Sequence, residues 1–210
     1  MKNLFLFGIA CLWAIPTMFA QNLVPNGGFD NGPGVICGIF ANPDFDNSVS
    51  DWYAPTSGTP DLYSTQIMQS CFNFQPNSTY AGPIGLKGSQ LPKNGDVMAG
   101  LFTRTIFGFE QREYIQVRLT QPLVAGRSYA FSFYVSAADN QEFASNRIGA
   151  LLTTNAVSSG TDGVLPGSPQ VLSNGIISDT SNWVLISDTF QAAQAFEYLT
   201  IGNFFNDANT

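Results

Sequence analysis

Apolar and polar residues alternate with a period of two along much of the chain beyond residue 95. In the segment 112–123, Ile115, Val117 and Leu119 are separated by single polar residues. In the segment 127–136, aromatic and aliphatic residues occupy every second position. Because successive side chains of a strand point to opposite faces, both patterns predict half-buried strands of an antiparallel sheet.

Further segments have the length and composition of strands, whereas helical periodicity is almost absent. These segments are 96–104, 147–155, 170–178, 182–192 and 196–205. Leu123 to Arg127 has the composition of a tight turn, in which Gly126 is free to adopt a positive φ. About nine short strands separated by turn signals indicate an all-β, antiparallel sandwich, most simply a jelly roll.

Two tyrosines fall on the strand faces that the core residues do not use. Tyr114 and Tyr134 alternate with the apolar residues of their strands. Two interpretations follow from this position. The rings are either exposed contacts for a ligand, or they form a second buried layer if both faces of the sheets are covered.

The first twenty residues have the layout of a secretory signal peptide. Lys2 supplies a positive charge before the apolar run 4–13. An uncleaved membrane anchor is the alternative, but the stretch from Leu4 to Ala20 has only 17 residues, is broken by Pro16 and is at the short limit for a span of about 20 residues. We therefore expect residues 1–20 to be removed and residues 21–210 to form one exported domain.

Composition narrows the class of partner. The formal net charge is −7, with eight basic and fifteen acidic residues. Nucleic acid is therefore not an expected partner, because binding phosphates requires a clustered basic surface. An acidic surface is compatible with neutral polysaccharide, with divalent cations or simply with solubility. Only 11% of the residues are charged and 13% are aromatic, which is typical of an extracellular β protein with polar loops.

Catalysis is not expected from the residues available. The sequence contains no histidine, so neither a Ser-His-Asp triad nor a zinc site with histidine ligands can form. A glycosidase needs only two carboxylates about 5–9.5 Å apart. The candidates are Glu110, Glu113, Glu142 and Glu197. Glu110 and Glu113 are three positions apart on a predicted strand and hence on opposite faces, so we expect a non-enzymatic protein.

The number of cysteines is consistent with export. Removal of residues 1–20 takes Cys11 away and leaves Cys37 and Cys71. In an oxidising compartment an even pair predicts a disulfide, and two buried free thiols are the alternative. Each cysteine lies in a long segment rich in Gly, Pro and Asn, at 31–47 and 64–94. A bridge would tie these segments together and contribute about 3–4 kcal/mol of stability.

Residues 22–30, "NLVPNGGFD", resemble the opening "N-L-x-x-N-G-x-F-E" of galactose-binding-like jelly rolls, which include many carbohydrate-binding modules. The ordered motifs "DWYAPTSGTPDLYS", "GDVMAGL", "REYIQVRLTQPLVAGRSYAFSFYVSAADN" and "YLTIGNFFNDANT" are similar to a surface domain of gliding, Gram-negative bacteria. Such domains often precede an OmpA-like peptidoglycan-binding domain or a type IX sorting tail. The resemblance implies an outer-membrane surface or extracellular location.

The resemblance also implies elements that this sequence does not contain. Family members continue with a closing strand of the type "Y-Y-x-I-D-D-V", so we expect the sequence ending at Thr210 to be a fragment. In related jelly rolls the acid after "NGGF" is often a ligand of structural calcium, and that residue is Asp30 here. The second carboxylate of such a site belongs to the closing strand. The alternative role of Asp30 is to cap a turn.

Binding is the function that remains, and one stretch has the chemistry of a carbohydrate site. Sugar rings stack on aromatic side chains, and their hydroxyls bond to Asp, Asn and Arg. The predicted ligand-binding residues are Asp51, Trp52, Tyr53, Asp61 and Tyr63, with Asp139 and Asn140 in a second polar loop. For Trp52 the alternative is packing in the core.

Two functional hypotheses follow. The first is a secreted or cell-surface module that binds carbohydrate or another polymer without catalysis. The second is a structural or adhesive spacer that presents or docks another domain of a larger surface protein. Extracellular polysaccharide or a cell-surface component is the expected partner, and we expect no transmembrane span after removal of residues 1–20.

Overall fold

The computed structural model describes residues 21–32, 42–64, 90–104, 110–139, 141 and 143–210. The elements are α1 (Asn42–Ser48), β1 (Trp52–Tyr53), β2 (Asp61–Ser64), β3 (Val97–Gly100), β4 (Ile115–Arg118), β5 (Ser128–Val135), β6 (Ile148–Thr153), β7 (Val171–Leu172), β8 (Val184–Gln191), β9 (Tyr198–Asn203) and a 3-10 turn (Asp207–Asn209). Every strand pairing is antiparallel. The predicted all-β class is confirmed.

A five-stranded sheet forms the centre of the fold, with the order β1-β4-β9-β6-β7. Its register sets Ile115 opposite Ile201 and Val117 opposite Leu199. Side chains of these residues therefore share one face, which we call the cleft face. The opposite face, which we call the covered face, carries the alternate positions, among them Gln116 opposite Thr200.

Two separate strand pairs pack toward the cleft face. β2 pairs with β3, and β5 pairs with β8 over eight residues from Ser128↔Gln191 to Val135↔Val184. Both pairs contribute to the main apolar cluster, the first through Leu62 and the second through Ile186. Burial of these alternating apolar residues is the main source of stability for the arrangement.

The covered face is closed by the connection between β6 and β7. Gln116 Nε2 donates to the carbonyl of Val157 at 2.8 Å, and the Val157 amide donates back to Gln116 Oε1 at 3.0 Å. Tyr114 is fully buried there, where its hydroxyl donates to the carbonyl of Asn203 at 2.6 Å and accepts from the Leu165 amide at 3.0 Å. Tyr114 is thus part of a second buried layer, whereas the Tyr134 ring is exposed.

All seven strand segments from the sequence contain extended structure, although each strand is shorter than its segment. In the segment 170–178 only Val171–Leu172 forms a strand, and Ile177 makes an isolated bridge to Ser145. The predicted turn at Gly126 is present, with φ of 82°. β4 and β5, which it connects, do not pair with each other.

Four elements were not predicted: α1, β1, β2 and the 3-10 turn at Asp207–Asn209. They span two to seven residues, which is too short for a clear period. α1 overlaps the end of the segment 31–47, which the sequence predicts to be irregular, and extends one residue beyond it. No helix in the described ranges is long and apolar enough to cross a membrane.

Candidate functional site

The N-terminal loop is built around Asn26, which adopts a positive φ of 45°. Its side-chain amide donates to the carbonyls of Asn31 at 2.9 Å and Ser50 at 2.8 Å. Its backbone carbonyl accepts a hydrogen bond from Trp52 Nε1 at 3.0 Å. Trp52 is only 3% exposed, and its ring centroid lies 5.1 Å from that of Phe29. Trp52 therefore packs in the core, and the glycine-rich opening of the chain is a loop that anchors it.

Asp30 holds the turn that precedes β3. Its Oδ1 accepts a hydrogen bond from the Asp96 amide at 2.8 Å. Its carboxylate lies so close to Gly95 that a Cβ at that position would collide with it, and Gly95 also has a positive φ of 66°. No group of three or more acidic, cysteine or histidine residues is arranged for a metal within the described ranges. The calcium site at Asp30 stays a prediction.

A wide cleft opens between the cleft face of the large sheet and the two strand pairs. Its volume is about 1920 Å³. Pockets for small molecules are typically about 300–1,000 Å³. The lining is largely apolar and includes the half-buried rings of Tyr129, Phe131 and Phe133 from β5. The cleft is therefore larger than a typical small-molecule pocket.

Polar groups concentrate where the cleft meets the start of β2 and the approach to β4. Glu113 lies there and is 6% exposed. Glu113 Oε1 accepts from the Thr59 amide at 3.1 Å and from the Thr59 hydroxyl at 3.2 Å, and Oε2 accepts from the Phe102 amide at 2.7 Å. The Tyr63 hydroxyl donates to Asp61 Oδ2 at 2.8 Å. We call this region, with Arg104, Gln111 and Phe143, the polar end.

Burial raises the pKa values of two side chains at the polar end. Desolvation raises the pKa of Glu113 to about 7, and the negative charge of Asp61 adds to this increase. The hydrogen bonds from Phe102 and Thr59 act in the opposite direction because they stabilise the carboxylate. Burial also raises the pKa of Tyr63, and its interaction with Asp61 contributes further. The Tyr63 hydroxyl therefore stays protonated and donates at neutral pH.

Two exposed aromatic rings accompany these groups. Phe102 is 44% and Phe143 is 45% exposed. The Arg104 guanidinium carbon lies 5.2 Å from the centroid of the Phe143 ring, a cation–π distance. Gln111 Nε2 donates to Asp162 Oδ2 at 2.7 Å. The polar end thus combines flat apolar surfaces with donors and acceptors of fixed orientation.

The structure brings together only some of the predicted ligand-binding residues. Asp61 and Tyr63 line the cleft. Tyr53 lies on the covered face of β1. Burial raises the pKa of its hydroxyl, and electrostatic interactions with Tyr198 and Asp46 raise it further. Asp51 and Asp139 are exposed and do not line the cleft.

Asn140 and both cysteines of the predicted disulfide, Cys37 and Cys71, lie outside the described residues. The bridge therefore stays a prediction. Glu142, one of the four candidate glycosidase carboxylates in the sequence, also lies outside the described residues, so its role stays a prediction.

Sequence reasoning missed Phe102, Arg104 and Phe143 as site residues. The sequence pattern places Phe102 and Arg104 at the end of a predicted strand and Phe143 in a polar loop. No local pattern connects positions about forty residues apart, and the weak available signal was an aromatic residue two positions before a basic one. Glu113 was considered only as a catalytic carboxylate, although its main contacts are hydrogen bonds that join two chain segments.

Comparisons with known proteins identify no relative: no protein-family model, no curated protein and no solved structure matches this chain.

Proposed function

We propose that this chain is a non-catalytic binding module of the cell surface, with a jelly-roll sandwich of the galactose-binding-like type, and that it binds carbohydrate in the polar end of the cleft. The observation that carries the proposal is the combination of exposed aromatic rings, Phe102 and Phe143, with Asp61, Arg104 and Gln111 beside a cleft of about 1920 Å³. Stacking on rings and bonding of hydroxyls are what a sugar chain requires.

A non-catalytic role is supported by the contacts of Glu113. Both of its oxygens already accept hydrogen bonds from protein groups, and the side chain is almost completely buried. A general acid must bring its proton within about 2.6–3.2 Å of the leaving group. The contacts of Glu113 instead suit a residue that holds the walls of the site in place.

Retention on insoluble polysaccharides and affinity electrophoresis in soluble ones test the proposal. We expect the protein to bind at least one neutral polymer, and Phe102→Ala and Phe143→Ala each to weaken binding about tenfold, since stacking on one aromatic ring contributes roughly 1–1.5 kcal/mol. Leu185→Ala is the matched control, because Leu185 is 51% exposed and does not line the cleft. Equal weakening by all three substitutions, or no retention on any polymer, would contradict the proposal.

Export, the bridge between Cys37 and Cys71 and a structural calcium at Asp30 belong to the same proposal. Intact-mass analysis after alkylation without reductant checks the first two, because the exported chain should begin at Gln21 and carry no alkylated thiol. Melting with millimolar calcium and with a chelator checks the third. We expect a small increase in melting temperature that Asp30→Asn removes, and an unchanged melting temperature would leave Asp30 as a turn residue.

A structural or adhesive spacer is the second candidate function. The outer face of the β5–β8 pair favours it, because Tyr134 and Leu185 are opposite each other and both exposed. Lys93 Nζ lies 4.8 Å from the centroid of the Tyr134 ring and adds a charge to this surface. In that case Leu185→Ala, and not Phe102→Ala, would reduce attachment of the module to isolated cell envelopes.

A further inference from the structure

Two strands that border the cleft each have one edge without a partner strand in the part of the chain that the structure describes. Among the described residues, β3 pairs only with β2 and β5 pairs only with β8. Every residue of Val97–Gly100 and of Ser128–Val135 lines the cleft. Consecutive residues of a strand can all line one cavity when the strand presents its edge to it. We call the part of the cleft that these two strands line the strand slot.

The edge of β5 lacks the features by which proteins usually protect an unpaired strand. Such edges are generally short, charged or interrupted by proline. β5 has eight residues, "SYAFSFYV", and none is charged or proline. On the side away from β8, its backbone N–H and C=O groups have no partner strand among the described residues, and its Phe131 and Phe133 rings line the cleft. Polar backbone groups in apolar surroundings require hydrogen-bond partners.

We propose that the strand slot binds an extended, uncharged polypeptide segment of another protein, which would pair with the free edges of β3 and β5. This goes beyond carbohydrate binding, because it assigns a protein ligand to the strand edges of the cleft and leaves the polar end to the sugar. The segment adds a strand to the sheet, and its main-chain hydrogen bonds supply most of the affinity.

The walls of the slot define the chemistry of this segment. Neither β3 nor β5 carries a charge, although the chain as a whole has a formal charge of −7. The core side of β5 presents Phe131 and Phe133, and its outer side presents Ser132 and Tyr134. The segment therefore has apolar residues at alternate positions facing the core and Ser or Thr between them, over about eight residues, the length of β5.

A polypeptide fits these walls better than a glycan does. The edge of a strand offers donors and acceptors in a repeating order with neighbouring strands about 4.8 Å apart. Only another backbone presents the complementary order over several residues. Sugar hydroxyls would pair with some of these groups and leave others without partners, which costs free energy in an apolar site.

The probe is a synthetic peptide with four Thr-Val repeats flanked by two lysines at each end. The matched control has the same sequence with alternate backbone nitrogens methylated, which keeps charge and side chains but removes the donors on one edge. We expect fluorescence anisotropy to show binding of the first peptide and at least tenfold weaker binding of the second. Hydrogen exchange should slow, on addition of the first peptide only, at those alternate amides of β5 that do not bond to β8.

Two protein variants locate the site. Ser132 on β5 and Ser187 on β8 are opposite each other in the register, and both are exposed. Ser132→Lys places a charge beside the slot, whereas Ser187→Lys places the same charge one strand away. We expect Ser132→Lys to weaken peptide binding at least tenfold and Ser187→Lys to change it less than twofold.

Three results would overturn the proposal. In the first, both peptides bind equally or neither binds at millimolar concentration. In the second, the edge amides of β5 already exchange slowly in the free protein, so the slot is filled from within the chain. In the third, a polysaccharide and not the peptide slows these amides. Loss of carbohydrate binding in Phe102→Ala is scored separately, so failure of the proposed function is distinguishable from failure of the strand slot.

Discussion

The two faces of the five-stranded sheet differ in how completely other parts of the chain cover them. On the covered face, the polar atoms of Tyr114 and Gln116 are matched by backbone groups of the β6–β7 connection and of Asn203. The cleft face borders a large opening, across which the aromatic rings of β5 stay half-buried. The covered face therefore stabilises the fold, whereas the cleft face offers incompletely buried surface that a ligand could cover.

The same contrast exists between two arginines. Arg112 is fully buried, and it donates to the carbonyls of Gln111 at 2.7 Å and Phe205 at 2.9 Å and to Asp207 Oδ1 at 2.6 Å. It thereby fastens the C-terminal turn to the sheet. Arg118 makes one ion pair with Glu197 at 2.7 Å and is well exposed.

The largest expected effect comes from breaking the buried arginine contacts. Arg112→Ala should lower the free energy of unfolding by about 3–5 kcal/mol, because it leaves the partly buried Asp207 carboxylate without its cation and a cavity in place of a fully buried side chain. Arg118→Ala should lower it by at most about 1 kcal/mol, since water replaces the lost ion pair. Urea unfolding of both variants measures the difference. Similar losses of unfolding free energy for the two variants would contradict the distinction between a buried contact that stabilises the C-terminal turn and an exposed ion pair.

The next effect concerns the pH dependence of stability at the polar end. The pKa of Glu113 is about 7 in the folded protein and near 4.5 when the chain is unfolded. The folded state therefore binds the proton more tightly, so this contribution to stability is complete below pH 4.5 and is lost as the pH rises through about 7. Its size is on the order of 3 kcal/mol, from about 1.36 kcal/mol per pKa unit.

Glu113→Gln isolates this contribution, because it removes the titrating group and keeps one acceptor oxygen. We expect the difference in unfolding free energy between wild type and variant to shift in favour of the variant between pH 4.5 and 8. Urea unfolding at a series of pH values measures it. A difference that stays constant with pH would show that Glu113 titrates normally.

The smallest expected effect is the difference in stability between two tyrosine variants. Tyr114→Phe removes the hydroxyl between the Asn203 carbonyl and the Leu165 amide and should cost about 1–3 kcal/mol, because both groups are buried. Tyr134→Phe should change stability by less than about 0.5 kcal/mol, since its ring is exposed. Thermal unfolding of the two variants is the measurement. A larger cost for Tyr134→Phe would show that the exposed face of β5 carries structural contacts of its own.

Much of the fold could be predicted from local patterns. The alternation in 112–123 and 127–136 led directly to β4 and β5, and Gly126 marked the turn between them. Period-two alternation reports which residues face a core, because it depends only on neighbouring positions of one strand. It does not report which strands pair, and β4 and β5 indeed pair with other strands.

The candidate site was predictable only in part. Asp61 and Tyr63 were named because acidic and aromatic residues are close in the sequence there, and their side chains do meet in the cleft. Trp52 has the same local chemistry, yet it packs against Phe29. Composition cannot distinguish these outcomes, because burial depends on what another part of the chain places above each ring.

The sequence alone determined the all-β class, the strand segments and the absence of histidine chemistry, since each depends on residue type or on near neighbours. Tertiary structure decided the rest. Long-range pairing brought Glu113 against Thr59 and Phe102, and a connection remote in sequence buried Tyr114. Such contacts join positions whose separation along the chain carries no periodic signal, so they exist only once the sheets have formed.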